Sequence, residues 1–238
     1  KANAYGLGVE RVARRLEREG CRKFFVATLT EARELRAIVT AAEIYVFEGA
    51  VDGAVAKLAE LYARPVLNTL EQVERWRGRG PAALHLDTGM NRLGLGPAEV
   101  AALAKRRELT AGLALVMTHL ACADEPDHPQ NREQLERFER LRAQLPATPT
   151  SIGNSAGTLL GGPYRGDVVR PGIALYGGNP FSDRPNPMEA VVTLTAPVLQ
   201  LRDLDEPQPV GYGATYLASP PARLAVVGLG YADGYPRN

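Results

Sequence analysis

Along the first two-thirds of the chain, apolar positions switch regularly between two spacings. Val9, Val12, Ala13 and Leu16 recur three or four residues apart, as on one face of a helix, and Gly20 closes that segment. Residues 23–27 (KFFVA) then read as a strand buried on both faces. The beat repeats with a helix at 30–39, a strand at 44–47, a helix at 53–62 and a short strand at 65–67. Leu70, Val73 and Trp76 mark the next helix, followed by a strand at 83–86, a helix at 97–105 and a strand at 113–117. The longest helix spans 130–144, with Leu135, Phe138 and Leu141 on one face, and strands at 150–152 and 173–176 complete the series.

Alternating β and α units with strands apolar on both faces predict a parallel sheet covered by helices. Seven strands are counted, and Lys1 falls where a strand should just have ended. With that strand added the expectation is an α/β fold of the closed (β/α)8, TIM-type, barrel class. A doubly wound sheet is the alternative, but Gly6-Leu7-Gly8 lacks the third glycine of its first turn. After residue 187 the texture changes. Residues 190–201, 210–216 and 224–229 read as strands without helices between them, separated by Gly, Pro and Asp turns. The expected organisation is a barrel over 1–187, with 179–187 as linker, and the beginning of a mostly antiparallel β domain over 188–238.

Composition narrows the chemistry. A chain of 238 residues, 45% hydrophobic and 23% charged, is that of an ordinary soluble globular protein. A net charge of +1 carries no signature of nucleic-acid or membrane binding. The only lysines are Lys1, Lys23, Lys57 and Lys105, so few residues could form a Schiff base. Cys21 and Cys122 lie far apart without metal-ligand spacing, which fits reduced thiols in the cytoplasm. No apolar run has the length of a membrane helix, and no signal peptide is seen.

In such a barrel the chemistry gathers where strands end. Lys1 and Tyr5, the segment 87–92, Thr118-His119, Asn154-Ser155 and Arg170-Pro171-Gly172 all fall at those positions. Each has an ordinary reading when taken singly: a solvated lysine, a hydrogen-bonded core histidine, a helix cap at Asn154, or ion pairs of Arg92 with Asp87 and of Arg170 with Asp167. Their gathering at one face favours a site. Asn154-Ser155 opens a short helix at 156–160, whose free amides suit a phosphate, and the Gly172 turn offers further backbone donors. No P-loop lysine motif is present. A phosphate site, a strand-end lysine and no metal-binding cluster point to pyridoxal 5'-phosphate (PLP).

The segment Lys1-Ala2-Asn3-Ala4-Tyr5-Gly6 resembles the PLP-attachment motif of bacterial alanine racemases. The resemblance continues in order through residues 87–94 (DTGMNRLG), Thr118-His119, Asn154-Ser155, 169–173 (VRPGI) and Leu175-Tyr176-Gly177. It ends with Gly211-Tyr212-Gly213 and the 230–234 turn (GYADG). It implies that Lys1 holds PLP covalently and moves the α-proton on the D-alanine face. Tyr231 would be the base on the L-face, contributed to the partner subunit of a homodimer. Tyr5, Ser155, Gly172 and Ile173 would bind the phosphate, with Asn154 beside them. Arg170 would face the pyridine nitrogen, and His119 would link Tyr231 to Arg170. Arg92 would contact the cofactor's phenolic oxygen and the substrate carboxylate.

The implied activity is interconversion of L- and D-alanine, an isomerase reaction supplying D-alanine for peptidoglycan in the cytoplasm. A broader-specificity or serine racemase of the same family is a second reading, and a non-catalytic PLP-binding barrel protein a third. The β strands and Tyr231 argue against the third. The chain departs from the family in three ways. His85 stands where many members carry a carbamylated lysine, the strand before Lys1 is absent, and so is most of the C-terminal β domain. The expectation is therefore a fragment that does not racemise alanine by itself.

Overall fold

Side chains alternate across each strand, and this alternation builds the first part of the molecule. The structure is a computed structural model that describes residues 1–236. The chain divides into two compact units, with the boundary between Glu189 and Ala190. In the first, β1 (Lys23–Val26), β2 (Glu43–Val46), β3 (Ala63–Leu67), β4 (Ala82–His85), β5 (Leu113–Met117) and β6 (Thr150–Ser151) pair in sequence order. All five pairings are parallel. The helices Leu29–Arg36, Val55–Glu60, Leu70–Trp76, Pro97–Ala104 and Pro129–Arg142 connect successive strands. Thr28 and Thr69 cap two of these helices by accepting from the amides of Glu31 and Gln72.

The sheet is buried on both faces. Phe24, Val26, Ile44, Val46, Leu67, Leu84 and Val116 pack with the helix residues Leu35, Leu58, Trp76, Leu103 and Phe138. Their neighbours in sequence face the other way. Tyr45, Val66, Ala83, Leu115 and Met117 form a separate core with Phe25, Phe47 and Val168. That second core is the filled interior of a part-barrel. Its register is set by pairs such as Phe25 with Tyr45 and Ala83 with both Val66 and Leu115.

The same parity places polar groups at the two ends of the interior. Near the strand starts, Glu43 takes Lys23 at 2.5 Å, Arg64 at 2.6 Å and the Tyr45 hydroxyl at 3.1 Å. At the opposite end stand Asn68, His85, Ser151 and, one step further, His119.

The expected strand at 173–176 is instead a 3-10 turn, Ile173–Tyr176. Leu175 donates to the Gly172 carbonyl at 3.0 Å and Gly177 to the Ala174 carbonyl at 3.1 Å, so these amides close local turns in place of a ladder. The first unit thus shows six strands among the described residues, and helices slightly shorter than their apolar pattern. In the second unit, β7 (Val198–Leu204) pairs antiparallel with β10 (Ala222–Val227), and β8 (Gln208–Val210) with β9 (Tyr216–Ala218). Residues 190–197 form no strand. The expected strand at 210–216 is the turn of a hairpin, because Gly211, Gly213 and Ala214 adopt φ of 77°, 73° and 50°.

Leu84 is fully buried on the helix-facing side of β4, whereas Leu194 in the second unit is 66% exposed. Leu84→Ala is expected to cost about 3 kcal/mol in urea unfolding. Leu194→Ala should stay within roughly 0.5 kcal/mol of the parent.

Candidate active site

The site begins with an unusual backbone. Ala2, Asn3, Ala4 and Tyr5 have φ of 50°, 48°, 55° and 58°, a left-handed turn made without glycine. Such a conformation costs roughly 1–2 kcal/mol per residue and persists only where surrounding contacts over-determine it. Here Gly6 donates to the Ala2 carbonyl at 3.0 Å. The Asn3 Oδ1 accepts from the Val9 amide at 2.8 Å, and Glu31 accepts from the Ala2 amide at 2.5 Å. The turn brings Lys1 and Tyr5 together, with Nζ 5.6 Å from the Tyr5 ring centroid. Tyr5 also packs on Tyr176, centroid to centroid 4.7 Å.

Tyr5 ends against Gly172. A Cβ at position 172 would lie 2.4 Å from the Tyr5 hydroxyl oxygen, so only glycine leaves room for it. Ser155 closes the cradle, its Oγ accepting from the amides of Gly172 at 2.8 Å and Ala174 at 3.3 Å. The Ile173 amide makes no hydrogen bond among the described residues. Asn154 sits beside them as the cap of the helix Ser155–Leu160, accepting from Gly157 at 3.0 Å and donating to the Leu120 carbonyl at 3.2 Å. The cap reading of Asn154 therefore holds.

Arg170 is the buried cation of the site. It donates to the Ser151 hydroxyl, to the carbonyls of Thr118 at 2.6 Å and Ile152 at 3.3 Å, and to His119 Nδ1 at 3.4 Å. Burial pushes its pKa down to about 9, so it stays charged at neutral pH. The ordinary reading of Arg170 as an ion-pair partner of Asp167 does not hold, because that carboxylate accepts from the amide and hydroxyl of Thr150 at 2.7 and 2.9 Å. Arg170 Nε is buried without an acceptor. A buried N–H of a cation is rarely left this way. An aromatic ring nitrogen with a free lone pair suits it, as does a phosphate the neighbouring cradle.

Two neutral histidines flank Arg170. A guanidinium cannot accept a hydrogen bond, so His119 Nδ1 is the acceptor and its proton sits on Nε2. Burial first, then Arg170 and Arg92, lower its pKa to about 3. His85 is lowered to about 4 by burial and by the same two arginines. Its Nδ1 lies 3.0 Å from Asn68 Oδ1.

Arg92 is exposed on the loop after β4. Asp87 does not pair with it. Asp87 Oδ1 instead accepts from the amides of Gly89, Met90 and Asn91 at 3.0, 3.1 and 3.1 Å and shapes the loop that presents the arginine. Among the described residues no group of acidic, histidine and cysteine side chains could hold a metal. No helix there is long and apolar enough to cross a membrane. Tyr231 belongs to the second unit, on the 3-10 turn Tyr231–Asp233, 74% exposed, where Asp233 accepts from the Gly230 amide at 3.0 Å.

Comparison with known families matches residues 1–180 to the alanine racemase N-terminal domain and residues 191–238 to the alanine racemase C-terminal domain. The chain belongs to the alanine racemase family. It is 48% identical to the alanine racemase of Acidiphilium cryptum, covering 100% of this chain and 69% of that protein. It is 47% identical to the catabolic alanine racemase of Mesorhizobium japonicum, covering 100% of this chain and 65% of that one. The solved alanine racemase of Bartonella henselae, with covalently bound pyridoxal phosphate, matches with a TM-score of 0.89 and 38% identity over 99% of this chain and 68% of that one. The biosynthetic alanine racemase of Pseudomonas aeruginosa matches with a TM-score of 0.90 and 37% identity over 99% and 68%. The chain thus spans about two-thirds of the length of these racemases.

Asn68 and Ser151, which meet His85 and Arg170, have no role in the reading from sequence. Asn68 and Ser151 continue the inward parity of β3 and β6, and polar residues at those strand ends were the available signal. Tyr176 enters from sequence only within the Leu175-Tyr176-Gly177 motif, without a role, and its packing on Tyr5 is seen in the structure.

Unfolded, each buried histidine titrates near 6.5; folded, His119 does so at about 3 and His85 at about 4. The unfolded chain therefore binds more protons below pH 6.5, and stability is lost as the pH falls from there toward 4. Between pH 7 and pH 5 the two rings together should remove on the order of 4 kcal/mol, measured by urea unfolding at both values. His85→Gln should abolish about half of that difference.

Proposed function

We propose that this protein interconverts L-alanine and D-alanine with PLP, as a cytoplasmic homodimer that supplies D-alanine for peptidoglycan. The observation that carries the reading is the unpartnered Nε of Arg170, buried beside a cradle of Tyr5, Ser155 and Gly172 and on the same strand-end face as Lys1. Bound PLP supplies an electron-withdrawing ring that weakens the Cα–H bond of an attached amino acid.

The residues divide the remaining work. Lys1 holds the cofactor covalently and exchanges the α-proton on the D-face. Tyr5, Ser155 and the backbone of Gly172 and Ile173 hold the phosphate, with Asn154 fixing the helix that carries Ser155. Arg170 keeps its proton and offers the ring nitrogen only a hydrogen bond. By withholding that proton, Arg170 would favour prompt return of the α-proton by Lys1 or Tyr231 over side reactions. Arg92 contacts the phenolic oxygen and the substrate carboxylate. Tyr231 exchanges the α-proton on the L-face of a neighbouring subunit, and its exposure suits a residue used at another surface. The Nε2–H of His119 is the donor that would meet the Tyr231 oxygen and tie it to Arg170.

Lys1→Ala should remove the borohydride-reducible link to the cofactor; a retained link would move the attachment to another lysine. Tyr231→Phe should cut racemisation by roughly 10²–10⁴-fold while D-alanine still exchanges its α-deuterium with water. Unchanged racemisation would exclude a two-base division. Gly172→Ala should weaken PLP binding at least about tenfold by displacing the Tyr5 hydroxyl, read by equilibrium titration. Sedimentation should show an active dimer, and an active monomer would refute contribution of Tyr231 in trans.

A further inference from the structure

The turn that follows Lys1 is held by a side chain from the next strand-end turn, and the relation repeats along the sheet. Glu31, the third residue of the helix Leu29–Arg36, accepts from the Ala27 amide at 2.7 Å and, with its other oxygen, from the Ala2 amide at 2.5 Å. Glu48, in the turn after β2, accepts from the Leu29 amide at 2.6 Å. Gln72, the third residue of the helix Leu70–Trp76, accepts from the Asn68 amide at 2.9 Å and donates to the Glu48 carbonyl at 3.1 Å. Gly49 leaves room for this last contact, since a Cβ there would lie 2.1 Å from Gln72 Oε1.

Glu31 and Gln72 stand at equivalent places, three residues after the capping Thr28 and Thr69. Each reaches the first residue beyond its own strand and then the preceding turn. Their chemistry differs as their partners require. Gln72 meets one N–H and one carbonyl, which an amide serves with its oxygen and its nitrogen. Glu31 meets two N–H groups, and only a carboxylate presents an acceptor to each. The Ala2 amide directly follows Lys1 and opens the left-handed turn, which has no glycine before Gly6 and needs contacts from outside to persist. Glu31 ties that turn to the end of β1.

We propose that Glu31 is a positioning residue for Lys1, its carboxylate bridging the Ala2 and Ala27 amides so that the amine is held at one face of the substrate. The inference rests on the reading of Lys1 as the base on the D-face. The bridge fixes the backbone of Lys1 against the sheet, and a base misplaced by about 1 Å loses on the order of 10²-fold in rate.

The two faces of the reaction separate positioning from stability. In the holoenzyme, Glu31→Gln should slow exchange of the α-deuterium of D-alanine with water about tenfold or more relative to that of L-alanine, since Lys1 removes only the first. Glu31→Asp, one methylene too short to span both amides, should show the same bias with the charge retained. Gln72→Glu sets a carboxylate against the Glu48 carbonyl and should lower the urea midpoint without biasing the two exchanges. In the apoprotein labelled with ¹⁵N-alanine, the Ala2 amide proton should resonate downfield, as one bound to a carboxylate, and move upfield in Glu31→Gln. The Ala27 proton should stay bound there, as Asn68 is bound by Gln72. Equal slowing of both exchanges in Glu31→Gln, an unbiased Glu31→Asp, a biased Gln72→Glu, or an Ala2 resonance indifferent to Glu31→Gln would each overturn the proposal. Unslowed D-alanine exchange in Lys1→Ala would overturn the reading of Lys1 itself, while the Ala2 resonance would still report whether Glu31 holds the turn.

Discussion

A buried guanidinium without a carboxylate organises this site. Arg170 is held by a hydroxyl, two backbone carbonyls and an imidazole, all drawn from the ends of β5 and β6 and the residues just beyond them. A buried charge is tolerable only when its hydrogen bonds are met. The strand ends that meet them must therefore stay in register with each other. Burial, reinforced by a cation that no anion neutralises, keeps both neighbouring histidines unprotonated, and Arg170 takes the Nδ1 lone pair of His119. One side chain thus contributes the local field and sets the tautomer of His119, with its own Nε–H left over.

The sheet makes that arrangement possible by separating two kinds of burial. One face supplies the apolar contact with the helices, while the other fills the barrel interior with a smaller core around Tyr45, Leu115 and Met117. Packing stability is concentrated in the first, so the ends of the second are free to carry polar groups. Those groups differ between the ends. Glu43 with Lys23 and Arg64 forms a mutually compensated cluster near the strand starts. At the C-terminal ends no carboxylate pairs with Arg170 or Arg92 among the described residues, which suits a site for an anionic cofactor and an anionic substrate.

Local cost is accepted where it places chemistry. Four successive residues in the left-handed region are unfavourable, yet they put Lys1 and Tyr5 on one side of a single turn. The turn is secured from outside itself, by Glu31 and by the amide of Val9. Gly172 works in the complementary way, through the absence of a side chain where the Tyr5 hydroxyl must sit. Strained backbone and missing side chain together define one cradle.

The sequence by itself determined the alternation of helices and strands, the change of texture near residue 188, and the set of polar residues that falls at strand ends. These follow from period and local propensity, which act over a few neighbours. The resemblance to racemases was equally legible, because it lies in short contiguous segments. Tertiary structure decided the rest. Residues 173–176 have a strand-like composition but are turned by the hydrogen-bonding needs of their neighbours, and 210–216 bend because glycines there take left-handed φ values. Asn68 and Ser151 sit at strand ends that the pattern marks, but their partners, and that of Tyr176, are distant in sequence and invisible to it. The pairing of Arg170 with neutral acceptors instead of Asp167 is likewise a matter of three-dimensional reach. Which nitrogen of His85 or His119 holds the proton depends on groups brought together by the curvature of the sheet, and no spacing along the chain encodes it.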